Sequence, residues 1–104
     1  MIQKIPLRNN DFNFSTSFVV SGVEYFSRFT WMPRPKMFLM DLGLAESDIS
    51  LSGVPLMVGI PLNNTIENIL PGSLFLQSTD PTVEIPNPTQ LGEEVNLYHY
   101  QQDV

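Results

Sequence analysis

The chain has 104 residues, of which 42% are apolar, 15% are charged and none is cysteine. This length supports one modest core that buries roughly two thirds of the unfolded surface, so residues 1–104 are expected to form a single domain. The missing cysteines exclude disulfides, thiolate zinc sites and cysteine nucleophiles, and a net charge of −6 disfavours nucleic-acid binding, which needs a basic face.

Globular domains usually carry about 25% charged residues. Much of this surface must therefore be Asn, Gln, Ser, Thr and backbone, which is easily desolvated and suits docking against protein. The charges are also unevenly placed. All five basic residues (Lys4, Arg8, Arg28, Arg34 and Lys36) precede Met37, while nine carboxylates from Asp41 to Asp103 follow it without a single cation. Such asymmetry signals a partner rather than a fold. The opening Met-Ile-Gln-Lys-Ile-Pro has no basic region followed by an apolar run, so no signal peptide is expected. No segment approaches the ~20 apolar residues of a membrane helix. These features predict synthesis and assembly in a cytoplasm, without membrane insertion.

Ile2 to Leu7 reads as a short edge strand, since Pro6 needs its missing N–H to face solvent. Phe12, Phe14, Phe18 and Val20 share one parity against Asn13, Ser15 and Ser17, the two-residue period of a half-buried strand. Ser21-Gly22 is a turn dipeptide. Val23, Tyr25, Phe29 and Trp31 then alternate with Glu24, Arg28 and Thr30 in a second strand, making a hairpin. Pro33 and Pro35 flank Arg34 and turn the chain into an apolar strand from Lys36 to Leu42, which Gly43 is expected to break. Ala45 to Asp48 fits one helical turn, whereas Ile49 to Ser52 alternates like a strand.

Gly53-Val54-Pro55 reads as a turn, and Leu56 to Leu62 as a strand in which Gly59 marks a bulge or a close backbone approach. Asn63-Asn64-Thr65 supplies helix-capping residues ahead of a turn or two over Ile66 to Leu70, ended by Pro71-Gly72. Leu74 to Gln77 is a short strand. Ser78 to Leu91 is an extended loop with room for a short strand at Val83 to Ile85, and Val95 to Gln101 closes the fold. The pattern predicts an all-β sandwich or small barrel of about six to eight mostly antiparallel strands, with at most one or two short helical turns. Gly22, Gly53, Gly59 and Gly72 are its expected turn or bulge positions.

Catalytic and cofactor chemistry finds no template. The single histidine, His99, is expected on the exposed face of the last strand, with no serine in a nucleophile-elbow context to partner it. The glycines are isolated, so no phosphate-cradling loop exists. Asp41, Glu46 and Asp48 are near in sequence but lack the Asp-x-Asp-x-Asp-Gly calcium loop. Glu93 and Glu94, as neighbours on a strand, would face opposite sides and so fail as a glycosidase pair. No catalytic, metal or cofactor residue is assigned, and none of these chemistries is expected. The aromatics Phe12, Phe14, Phe18, Tyr25, Phe29 and Trp31 are most simply a core; a sugar-stacking platform would need several exposed.

One ordered set of residues remains. A strand ends in Trp31 and Arg34 follows; Phe38-Leu39-Met40-Asp41-Leu42 closes on an aspartate. Then come Pro55-Leu56, Gly59-Ile60-x-Leu62, Pro71-Gly72, and Leu91-Gly92-Glu93-Glu94-Val95-Asn96-Leu97-Tyr98. This order, from about Gly22 to Tyr100, resembles the cyanophage baseplate plug proteins of contractile phages. The chain departs from that pattern in a longer link from Asp41 to Pro55 and a shorter stretch between Arg34 and Phe38.

The resemblance implies a structural, non-enzymatic component of a contractile phage tail baseplate. It would associate with the central hub and spike proteins and help to close the tail-tube lumen, as several copies around the axis with a trimer preferred. The implied location is the virion baseplate, after assembly in the host bacterial cytoplasm. Arg28, Trp31, Arg34, Lys36 and Asp41 form the candidate partner interface, with Arg34 expected to pair with Asp41 across its hairpin or to reach a neighbouring chain. A sugar- or host-surface-binding module, a small hydrolase and an assembly factor absent from the finished particle remain as alternatives.

Overall fold

A computed structural model describes residues 2–59, 62 and 71–101. Seven strands run in chain order: β1 (Ile2–Ile5), β2 (Asn13–Val20), β3 (Val23–Met32), β4 (Met37–Ala45), β5 (Asp48–Pro55), β6 (Ser73–Ser78) and β7 (Val95–Tyr100). All their pairings are antiparallel. One sheet is the meander β2-β3-β4-β5, and the other has the order β1-β7-β6. Among the described residues there is no helix. The chain is therefore all-β. The suggested helix over Asn63 to Leu70 lies outside the described residues.

The alternation in β2 and β3 determines what is buried. Phe14, Phe18 and Val20 on β2, and Tyr25 and Phe29 on β3, point inward with Phe38, Met40 and Leu42 of β4. From the second sheet come Ile5, Leu74, Leu76, Val95 and Leu97, all within the same hydrophobic cluster. Two sheets that share one core in this way make a small sandwich. Phe14 stacks on Phe29 with ring centroids 5.0 Å apart, and its ring meets Phe38 edge-on at 6.3 Å. Phe12 does not join them. It precedes β2 and is exposed, because the chain is still entering the sheet there and its carbonyl is used by the Trp31 N–H.

Turns set the registers. Ser21 and Gly22, both at positive φ (52° and 79°), form the two-residue connection that pairs Val20 with Val23, the geometry that matches strand twist in a tight hairpin. The turn from Pro33 to Lys36 contains a cis Arg34–Pro35 bond, and the ladder resumes at Met32 opposite Met37. Lys36 thus belongs to the turn, not to the strand. Glu46 and Ser47 form a hairpin turn between β4 and β5, with Ala45 opposite Asp48. That replaces the helical turn expected over Ala45 to Asp48: two long paired strands leave their connection no freedom to coil.

Gly43 does not break its strand; β4 continues through it to Ala45. The reason is a close approach. A Cβ on Gly43 would collide with the Asp48 carbonyl oxygen and lie 2.7 Å from the Ile49 Cα, so β5 packs over a backbone that only glycine provides. Gly53 likewise lies inside β5 rather than in a free turn.

Beyond Pro55 the expected strand over Leu56 to Leu62 is not formed in its described part. The Leu56 N–H donates to the Phe38 carbonyl, after which Val58 makes a lone parallel bridge to Leu76. The Gly59 and Leu62 N–H groups then donate to the Leu76 and Leu74 carbonyls. This segment carries the chain between sheets and covers the open edge of β6. Among the described residues nothing lies near the missing Cβ of Gly59, so no close backbone approach is seen there; its φ of 85° places it in a turn, the other role expected of it. Val83 to Ile85 is also not a strand. Its loop is held by side chains, with Asp80 accepting from the Thr82 N–H and hydroxyl, and Asn87 from the Thr89 N–H, the Thr89 hydroxyl and the Gln90 N–H.

His99 is the main reversal. It is 2% exposed, because it shares the inward parity of Val95 and Leu97. Its Nε2 donates to the Pro71 carbonyl oxygen at 2.6 Å, since a carbonyl can only accept. Gly72 follows at φ 83°, where a Cβ would come within 2.9 Å of the same nitrogen.

Two substitutions test this packing. Gly43→Ala should lower stability by about 2 kcal/mol or more, the range for forcing atoms into a packed site, whereas Gly22→Asn, in open space, should cost a few tenths; urea unfolding midpoints distinguish them. His99→Leu should cost about 1–3 kcal/mol by leaving the Pro71 carbonyl without its donor, read from the same urea unfolding curves.

Candidate functional site

The registers lay out the outer face of the four-stranded sheet row by row. Ser15, Arg28 and Asp41 are aligned across β2, β3 and β4; Asn13, Thr30, Leu39 and Pro55 form the next row; Met32 opposes Met37 nearest the hairpin tip. On the other side of the Arg28 row, Ser17 faces Phe26 and Phe26 faces Gly43. Phe26, Thr30, Met32, Met37 and Leu39 are half-buried. The result is a mostly uncharged face with one ion pair at its centre.

Asp41 builds that centre. The Arg28 Nη2 and Nε both donate to its Oδ2, at 2.8 and 3.2 Å. Its Oδ1 accepts from the Ser52 hydroxyl at 2.8 Å and from the Gly53 N–H at 2.9 Å. One carboxylate thus joins β3, β4 and β5. The register explains why it is needed. Met40 pairs with Val54 and Leu42 with Leu51, so Ser52 and Gly53 together oppose Asp41. This is a β-bulge with glycine in the left-handed region, φ 72°. Asp41 accepts the donors that the bulge presents.

Partial burial pushes the Asp41 carboxyl upward, but the hydrogen bonds from Arg28, Gly53 and Ser52, with the Arg28 charge, outweigh it and hold the pKa below the ordinary aspartate range. A depressed native pKa adds stability above the unfolded value, which is lost as pH falls through the native one.

The five candidate interface residues do not form one cluster. Arg28 and Asp41 are on the outer face. Arg34 and Lys36 are exposed at the tip of the β3–β4 hairpin. Trp31 is on the opposite, core side, with its ring edge-on to Phe38 at 5.1 Å. The pairing of Arg34 with Asp41 is not made. The ladder puts Arg28 directly across from Asp41, whereas Arg34 lies in the turn past Met32 and Met37. Sequence reasoning also missed Gly43 and Ser52. Gly43 was readable as a glycine inside an apolar strand, a pattern that signals close approach; Ser52 carries no signal until the bulge is known.

Among the described residues, no group of three His, Cys, Asp or Glu side chains is placed to hold a metal ion. Glu93 and Glu94 are exposed in the turn before β7. The aromatics needed for a sugar platform on the first hairpin, Phe14, Phe18, Tyr25 and Phe29, are buried.

Fold and surface together define a small all-β protein whose distinctive outward feature is a low-charge sheet face, the kind of surface a structural component presents. Residues 2–102 match the family described as cyanophage baseplate Pam3 plug gp18, and the chain belongs to that family. Membership gives it a structural role in the viral tail baseplate. A comparison with curated proteins finds no match.

Asp41→Asn should flatten the acid limb of the stability curve. The native protein should hold its melting temperature down to about pH 5 and lose it below about pH 4, while the variant starts lower by about 1 kcal/mol and changes less. The figure is kept near that of an exposed pair because Arg28 is 39% exposed. Thermal melts from pH 7 to pH 3 provide the check.

Proposed function

We propose that the protein is the axial plug of a contractile phage baseplate, seated with the hub and spike proteins and helping to close the tail-tube lumen. The observation that carries this reading is the family match over residues 2–102. The physical argument is the character of its surface. A plug must hold while the tail is dormant and let go when the spike leaves. A low-charge face of moderate apolar content suits that better than the large greasy interface of a permanent complex.

In this reading the chain works as one domain over residues 1–104, and its mechanism is steric and cohesive. No bond is made or broken, so it is not an enzyme and uses no cofactor. Arg28 and Asp41 lie at the centre of the docking face, Arg34 and Lys36 reach from the hairpin tip, and Trp31 stiffens that hairpin from the core side. Several copies surround the tail axis, because axial components obey closed cyclic symmetry, and three are favoured because spikes and hubs are commonly threefold. Assembly takes place in the host bacterial cytoplasm.

Quantitative mass spectrometry of purified virions, scaled to the tail-tube subunit, tests this. Three copies or a small multiple per particle are expected, lost together with the spike after induced contraction. Complete absence from mature particles would instead identify an assembly factor.

A further inference from the structure

The meander places its turns at opposite ends of the sheet. Ser21-Gly22 and Glu46-Ser47 share one end, and the turn from Pro33 to Lys36 occupies the other. The charges sort with the turns. Arg34 and Lys36 are exposed at the single tip, whereas Glu24, Glu46 and Asp48 are exposed at the paired-turn end. None of the five has an ion-pair partner among the described residues.

The two poles cannot neutralise each other within one molecule. They are separated by the length of β3, ten residues at roughly 3.3 Å each, against a screening length of about 8 Å at physiological salt. Each pole also presents apolar surface. Val23 and Leu44, 44% and 52% exposed, flank the carboxylates, and the exposed Pro33 and Pro35 flank the cations.

We propose that copies of this chain associate head to tail, with Arg34 and Lys36 of one copy seated against Glu24, Glu46 and Asp48 of the next. Charge complementarity selects a second copy in this orientation. At a net charge of −6, most juxtapositions of two copies repel. Of the end-on contacts, a two-fold one would set tip against tip or carboxylates against carboxylates. Only tip against paired turns brings opposite signs together and lets the Val23–Leu44 rim meet the proline turn. Such a heterologous contact closes into a ring when its rotation permits. The contact deepens the baseplate reading, on which it rests for the presence of several copies around one axis.

Sedimentation velocity of the full chain at 50 and 500 mM NaCl tests it. Concentration-dependent association is expected at the lower salt, weakened at least tenfold at the higher. R34E/K36E and E46K/D48K should each be monomeric where the native chain associates. Their equimolar mixture should associate again, because each reversed pole then finds its complement. All four positions are exposed, and thermal melts confirm that both variants fold. A native chain that stays monomeric, an association untouched by both reversals, or a mixture that stays monomeric overturns the proposal. Particle composition judges the baseplate reading separately: a charge-insensitive oligomer found in virions would sink the head-to-tail contact and leave the plug in place.

Discussion

The carboxylate of Asp41 is the point on which the four-stranded sheet depends. Its Oδ2 faces Arg28 on one neighbouring strand while its Oδ1 takes the Ser52 hydroxyl and the Gly53 N–H on the other. Without an acceptor there, the exposed Ser52 hydroxyl and Gly53 N–H would turn to water and no longer tie β5 to β4, and the part-buried Arg28 guanidinium would lose its partner. A β-bulge normally weakens a ladder; here the same carboxylate that closes it also ties in the strand beyond. Three strands are thereby fixed in register by a single side chain.

That register decides the rest. It puts Phe29 opposite Met40 and Trp31 opposite Phe38, so the inward residues of two long strands coincide. It also places Phe26, Thr30 and Leu39 together outside. A slip of one residue would exchange the two faces entirely. The core and the outward sheet face are therefore two sides of one constraint, and substitutions at Asp41 act on both.

The sequence displayed the long strands clearly because period-two alternation is strong where one face is buried. Phe14, Phe18 and Val20 against Ser15 and Ser17 left little ambiguity, and neither did Tyr25 and Phe29. It failed where local chemistry depends on distant partners. Gly43 looks like a strand breaker until the Asp48 carbonyl is seen against it. His99 has the composition of an exposed strand residue, yet its parity with Val95 and Leu97 and the Pro71 carbonyl bring it inside. The segment after Pro55 has strand-like residues but uses its N–H groups singly, on Phe38 of β4, on Glu84 and on β6, instead of in a ladder. For the candidate site, the importance of Asp41 was visible from its place in the family pattern. Its true partner was not, because choosing Arg28 over Arg34 requires the register.

The bulge at Ser52 and Gly53 has a further effect on how this chain behaves in a crowd. β5 is the last strand of its sheet among the described residues, and none of these adds a further strand to its outer edge. Three register irregularities along its pairing with β4 add twist and bend to what would otherwise be a straight row of donors and acceptors. A bent edge is a poor template for another strand. Molecules crowded at high concentration can touch through side chains without adding strand to strand along this edge, so the same kink that Asp41 stabilises works against fibre growth.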